Sequence, residues 1–468
     1  MQLIFHGGAQ EVGRSCVELR TGEDRYLLDC GLKFHEGGYD YPAKVFESRA
    51  LDGVFLSHAH LDHAGGLPFL VHYKMHCPIF ATHETQEIAR ILLKDSERVA
   101  HLRHLCEAFT RDDMKETFGK FEHAPYGTER QMRSIAYTFF NAGHIPGSAA
   151  VRVRTEGLSL LYTGDYNTET TRMMLGADPR AWGRVDILIT ESTYAQRDHP
   201  DRDAVEREFL AHVERVIRAG GRVLIPVFAV GRAQEVLLML ERKTWDVPVY
   251  VDGMARKVTE AIIDGPSPYA TSKSVLKASL RKAQPIRSRQ QRIGVAEERG
   301  IFVTTSGMLQ GGPAMYYLEQ LWNDPKSAVL LTGFQVHGTP GWRLDTEGIA
   351  RIEGETRQVL CEVKRYDFSA HLSRQGIQET ILTLRPRIVI FMHGDPEATK
   401  ALADWTREQG ATVYSPAVGD QIDISPDGTT SALHAYTAED NYPFPQEHQH
   451  EKACISAYDD FEAQNGNH

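Results

Sequence analysis

The stretch Ser57-His58-Ala59-His60-Leu61-Asp62-His63-Ala64-Gly65-Gly66 places three histidines and an aspartate within six positions, directly after the apolar run Val54-Phe55-Leu56. An apolar run closed by a glycine-bearing turn reads as the end of a strand. Side chains alternate along extended chain, so His58 and His60 share one face. The chain then turns, and Asp62 and His63 aim at a second point. Imidazole and carboxylate bind zinc at about 2.0 to 2.2 Å, and a catalytic zinc with roughly four ligands keeps one position open for water. One ion does not accommodate all four side chains and an open position, so the spacing predicts two ions side by side. Such a pair, roughly 3.5 to 4 Å apart, activates water for phosphodiester or amide hydrolysis. A histidine-rich loop without metal is the bland alternative.

Working outward from this loop, the H-x-H-x-D-H run resembles that of the metallo-β-lactamase superfamily, and further segments follow the same family's pattern. Asp29 in Tyr-Leu-Leu-Asp-Cys-Gly resembles its first motif. His144 in Asn-Ala-Gly-His-Ile-Pro-Gly-Ser resembles a later lone histidine, and Asp165 in Leu-Leu-Tyr-Thr-Gly-Asp-Tyr the aspartate after it. The resemblance implies that His58, His60 and His144 hold one zinc, that Asp62, His63 and a final histidine hold the other, and that Asp165 bridges both. It implies that Asp29 orients a ligand imidazole and does not bind metal itself. Each match is weak alone, because an aspartate near glycine is more often a turn residue. Their order and strand-end settings make the set specific.

Glu191 in Leu-Ile-Thr-Glu-Ser-Thr-Tyr, His371 in Tyr-Asp-Phe-Ser-Ala-His and His393 in Ile-Phe-Met-His-Gly resemble three additional motifs of the β-CASP branch, whose members are nucleases. The segments Pro226-Val-Phe-Ala-Val-Gly-Arg-Ala-Gln-Glu235 and Thr305-Ser-Gly-Met308 agree as well. The likeness covers nearly all of residues 1 to 420. It is to the nuclease subunit of the cleavage and polyadenylation specificity factor, its short archaeal relatives and ribonuclease J-like enzymes. In this branch the last motif is histidine in RNA-processing enzymes and typically valine in DNA-repair ones, so His393 implies RNA. The implied activity is that of a zinc-dependent ribonuclease with two Zn2+, cutting single-stranded RNA as a 5′-to-3′ exonuclease, an endonuclease or both. Asp29, Asp62, Glu191 and His371 are the implied catalytic residues, with His371 protonating the leaving 3′ oxygen and Glu191 fixing its imidazole. Metal ligands would be His58, His60, Asp62, His63, His144, Asp165 and His393. Three alternatives stay open: a small-molecule hydrolase of thioesterase or lactonase type, a DNA nuclease of the same superfamily, and an inactive RNA-binding subunit. The first leaves the insertion, Glu191 and His371 unused, and the last is set against a full complement of ligand positions.

Composition agrees with a soluble enzyme, expected in the cytoplasm. The 468 residues, 41% of them hydrophobic, suffice for two cores. The six cysteines (Cys16, Cys30, Cys77, Cys106, Cys361 and Cys454) include no C-x-x-C pair and read as reduced thiols. Met-Gln-Leu-Ile-Phe-His-Gly-Gly leads straight into a strand with no basic-apolar leader, and no apolar run approaches the roughly 18 residues of a membrane span. The net charge of −11 is awkward for an enzyme of a polyanion. Bound zinc would offset it locally, and local charge governs steering. A homodimer is left open.

The pattern along the chain is α/β, and the resemblance implies an αββα sandwich with an inserted β-CASP α/β domain. The expected division is 1–198 for the first part of the metallo-β-lactamase domain, 199–345 for the β-CASP domain, 346–437 for the return segment and 438–468 for a tail without core pattern. A helix is expected near Glu84 to Leu105, and strands near Ile135–Phe140, Ala149–Val153, Ser159–Tyr162 and Asp186–Thr190. The Pro- and Asp-rich stretch His199 to Asp203 marks the boundary. Beyond it Asp203 and Glu206 suggest a helix cap, Gly220-Gly221 a stop, Arg222 to Val227 a buried strand, and Gly231 the next helix start. Single-stranded RNA is the expected partner. The run Lys273 to Arg292, with Lys273, Lys277, Arg281 and Lys282 and no acidic residue, suits a backbone-tracking groove. Charge runs are as often solvated helix faces. Ser306 and Gly307, after the strand Ile301 to Val303, suit a close approach of backbone amides to phosphate.

Overall fold

The structure is a computed structural model that describes residues 1–35, 38–45, 50–103, 105 and 108–434. The expected tail, 438–468, lies outside the described residues, as do Cys106 and Cys454. The other four cysteines are buried free thiols.

Two sheets face each other in the first domain. The eight-stranded one runs, edge to edge, through 430–434, 420–424, 2–7, 16–21, 24–28, 53–55, 79–81 and 121–123. The seven-stranded one runs through 412–414, 388–392, 187–191, 158–162, 149–155, 135–141 and 130–132. Period-two patterning builds the layer between them. In Ala149–Thr155, Val151 and Val153 point into the shared core with Leu3, Phe5, Val17, Leu19, Phe55 and Ile189, while Arg154 points to water. Helices cover the outer faces: Leu67–His72 and His83–Leu102 on one side, Arg374–Leu384 and Pro396–Glu408 on the other. The layers are therefore helix, sheet, sheet, helix.

The insertion is a six-stranded parallel sheet in the order 284–285, 249–252, 301–304, 223–226, 328–331 and 362–365. Its central strands, Val223–Pro226, Ile301–Thr304 and Ala328–Leu331, are buried throughout, as a parallel sheet covered on both faces requires. Val213, Val236 and Val258 from three helices cover one face; Tyr317, Leu318 and Leu344 from two others cover the second. The sheet takes its last strand, Glu362–Arg365, from beyond residue 345, the expected end of the insertion.

Several boundaries move. The helix expected from Glu84 to Leu105 spans His83–Leu102, capped by Thr82. The helix expected to be capped by Asp203 and Glu206 spans Arg202–Arg218, and Asp201 is the cap, its carboxylate accepting from the Ala204 amide. Glu206 is instead buried between Arg172 and Arg242, a long-range ion pair that sequence spacing does not announce. No helix among the described residues is long and apolar enough to cross a membrane.

Candidate metal centre

The strands 53–55, 135–141, 158–162, 187–191 and 388–392 all deliver their carboxyl ends to one edge of the sandwich, and the polar residues follow directly after them. His58 and His60 follow the first strand, His144 the second and Asp165 the third. Glu191 closes the fourth and His393 follows the fifth. The H-x-H-x-D-H loop is clamped by the turn at 29–32. Backbone bonds run from Ser15 to Asp62, from Cys30 to His63 and from Leu32 to Leu61. A Cβ at Gly31 would stand 1.7 Å from the Asp62 carbonyl oxygen, so only glycine fits there.

Two groups of ligand atoms result, one of His58, His60, His144 and Asp165, the other of Asp62, His63, Asp165 and His393. In the first, His60 Nδ1 lies 3.2 Å from both His58 Nε2 and His144 Nε2, and Asp165 Oδ2 lies 3.6 Å from His58 Nε2. Atoms on a tetrahedron of about 2.0 to 2.1 Å radius stand about 3.3 Å apart, which is the spacing zinc-like ions impose. In the second, His63 Nε2 is 3.4 Å from Asp165 Oδ2, and His393 Nε2 is 3.3 Å from Asp62 Oδ2. His63 Nε2, His393 Nε2 and Asp165 Oδ1 are buried without hydrogen-bond partners among the described residues. Buried polar atoms are seldom left so. A donor set of neutral imidazoles and carboxylates with orphaned lone pairs fits divalent cations.

Outer contacts orient these ligands. Asp29 Oδ2 lies 2.7 Å from His63 Nδ1 and accepts from Ser57 Oγ and Tyr162 OH, each at 2.7 Å. His144 Nδ1 donates to the Ala370 carbonyl at 2.9 Å, which leaves Nε2 with its lone pair facing the cluster. Burial lowers the pKa of His58, His60 and His144, holding them neutral as ligation requires. Burial also pulls on His63 and His393, but Asp165 and the other carboxylates outweigh it and raise both. Cations placed among those carboxylates displace such protons.

His371 and Glu191 join Asp165 in a third group. His371 Nδ1 lies 2.8 Å from Glu191 Oε2, and Glu191 Oε1 accepts from the Tyr166 amide at 2.9 Å. Burial depresses His371, yet Glu191 and then Asp165 prevail and hold it raised to about 9. The side chains of His371 and Asp62 remain 22% and 30% exposed, so the cluster is open to solvent at these two residues.

Residues 19–188 match the metallo-beta-lactamase superfamily domain, 233–344 the Beta-Casp domain, and 356–416 the Zn-dependent metallo-hydrolase RNA specificity domain. The chain is 38% identical over 430 residues to "Probable RNase MJ4" of Methanocaldococcus jannaschii, covering 91% of this chain and 100% of that one. This chain belongs to the β-CASP branch of the metallo-β-lactamase superfamily. "RNase aCSPSF2" of Saccharolobus solfataricus is 32% identical over 421 residues, 89% of this chain and 84% of that one. The fold also matches the "Crystal Structure of a Protein of Unknown Function from Enterococcus faecalis V583", with a TM-score of 0.56 and 14% identity over 92% of this chain and 99% of that one.

Membership in this metal-binding family agrees with the ligand groups, but the residues expected to touch RNA fare unevenly. Ser306 donates both its amide and its Oγ to the Gly311 carbonyl, at 3.3 and 3.2 Å, so its donors are engaged inside the turn. The basic run forms the helix Lys273–Lys282, a short strand and the helix Arg289–Val295. Lys282 pairs with Glu241, and Arg292 with Asp252 at 2.6 Å, while Lys277 and Arg281 are exposed without ion pairs among the described residues. Lys273 bonds to the Gly265 carbonyl. Sequence reading missed the support of His371. His199, which in the sequence marks only a domain boundary, donates to the His371 carbonyl at 3.1 Å and lies 3.4 Å from Asp367. Its histidine within a Pro-Asp stretch was the available signal.

Proposed function

We propose that this chain, a metal-dependent ribonuclease of its family, hydrolyses single-stranded RNA at a two-zinc centre and prefers to trim 5′-monophosphorylated strands from 5′ to 3′, with weaker internal cutting. The observation that carries the reading is the His371–Glu191 pair beside an aspartate shared by two ligand groups. His58, His60, His144 and Asp165 would hold one zinc, and Asp62, His63, His393 and Asp165 the second. The metals, when bound, lower the pKa of water and take up charge developing on the phosphate. Asp29 keeps His63 turned with Nε2 inward. Glu191 fixes the His371 tautomer, leaving Nε2 to deliver a proton to the leaving 3′ oxygen, so products carry 5′ phosphate and 3′ hydroxyl. The inserted domain, which we place at about 199 to 366, lies over this edge and guides a strand to it. A thioesterase or lactonase would leave that domain and His371 without work.

End-labelled linear RNA, circular RNA and single-stranded DNA, incubated with the zinc-loaded protein and sized, test this reading. Linear 5′-monophosphate RNA is expected to disappear fastest and DNA to be spared. Circular RNA degraded as fast as linear RNA would replace the exonuclease preference with internal cutting.

A further inference from the structure

Outside the metal cluster, the carboxyl ends of two neighbouring strands in the inserted sheet carry side chains that the hydrolytic scheme does not use. Such ends are where open parallel sheets bind ligands. Phe228 follows Val223–Pro226 and Phe334 follows Ala328–Leu331, and these strands pair. Their rings face water, 37% and 49% exposed, although Val227 and Thr332 beside them are buried. The Phe228 ring lies between two glycines: a Cβ on Gly307 would stand 3.3 Å from its Cδ2, and one on Gly333 3.7 Å from its Cε2. No side chain from either position covers it.

Arg232 lies on the same rim. It opens the helix Arg232–Leu240, and its Nε is 3.9 Å from the site of a Gly333 Cβ. That Nε is buried without a partner among the described residues. The nearby carboxylates are taken, Glu235 by Arg202 at 2.8 Å and Asp367 by Arg197 at 3.1 Å. Burial, with Arg202 alongside, pulls the guanidinium down to about 10. Arg232 as a whole is half-buried, but a cation whose buried Nε lacks an acceptor is destabilised until an anion joins it. The rim also abuts the reactive residues. A Cβ on Gly231 would stand 2.9 Å from Ile145 Cγ2, next to His144. Phe334 meets Tyr194 edge-on at 6.2 Å between centroids, and Tyr194 lies 6.0 Å from His371. One exposed phenylalanine is ordinary surface. Two, with a half-buried arginine whose Nε lacks a partner among the described residues close to one of them and the proposed general-acid histidine beyond the other, are not.

We propose that Phe228, Phe334 and Arg232 form a nucleotide subsite for single-stranded RNA, Arg232 holding a backbone phosphate adjacent to the cleaved one while the two rings stack flanking bases. This rests on the ribonuclease reading and adds how the strand is held. Stacking accepts every base, so the subsite confers little sequence preference.

The test compares binding of short single-stranded RNA with that of an abasic RNA of equal length and charge, in the His371→Ala protein. The base-bearing strand is expected to bind about tenfold or more tightly. Adding Phe228→Ala and Phe334→Ala together should abolish that difference. Arg232→Gln should weaken both strands alike and lower the salt slope by about 0.7. Equal binding of the two RNAs by protein with both rings intact overturns the proposal without depending on any rim variant's folding, and so does a double variant that still discriminates. Cleavage by the unsubstituted enzyme is scored in parallel. Discrimination without cleavage supports the subsite and overturns the ribonuclease reading; cleavage without discrimination overturns the subsite alone.

Discussion

His371 is held at three points: its imidazole by Glu191, its amide by the Ser369 hydroxyl at 3.0 Å, and its carbonyl by His199. Such bracing suits a group that must present Nε2 at one place while the metal ligands are fixed by other loops. His371→Ala should therefore keep its metal and its fold and lose cleavage by about 10² to 10⁴, the usual worth of a general acid. Metal analysis beside a rate assay checks this, and a variant within about threefold of the parent removes His371 from the mechanism. At this scale the sequence was highly legible, because ligand chemistry is a property of the side chain. His58, His60, Asp62 and His63 stand out as candidate ligands by spacing alone. Arg232 and His199 did not, since an arginine or histidine becomes informative only once its surroundings leave it unpaired or paired.

Among elements, the basic helix Lys273–Lys282 separates two readings of a charge run. Its start is tied to the first domain through the Thr271 amide and Met173 carbonyl, 2.9 Å apart, which puts it at the seam between domains. Lys277 and Arg281 are exposed there, without ion pairs among the described residues. Replacing both by glutamine is expected to weaken RNA binding and flatten its salt dependence by about 0.7 for each phosphate no longer neutralised. Binding titrations over a salt series measure both quantities, and unchanged affinity and slope would mark the helix as solvated surface. Strand positions were legible from alternation, as Val151 and Val153 show against Arg154. Caps and ends were less so. Asp201, Asp203 and Glu206 all satisfy capping chemistry on paper, and the partners Arg172 and Arg242, distant in sequence, decided that Glu206 goes inward.

For the molecule as a whole, the seven proposed ligand residues gather from both parts of the first domain, so metal bound there would tie that domain to its return segment. Protein as isolated is expected to contain about two zinc equivalents, and chelation should abolish cleavage and lower the melting temperature, since a ligand bound only by the folded state stabilises it. His60→Ala should lower metal content and activity together; elemental analysis showing one metal or none in active enzyme would refute the pair. The sequence by itself determined the superfamily, the candidate ligands and the α/β layering, because residue chemistry, local periodicity and motif order are carried along the chain. Tertiary structure alone decided which lone pairs converge, that Asp165 stands within reach of both groups, that Ser306 bonds within its own turn, and that the inserted sheet runs on to Arg365. Those are relations between segments up to hundreds of residues apart, and their distances are set by packing, which no local stretch encodes.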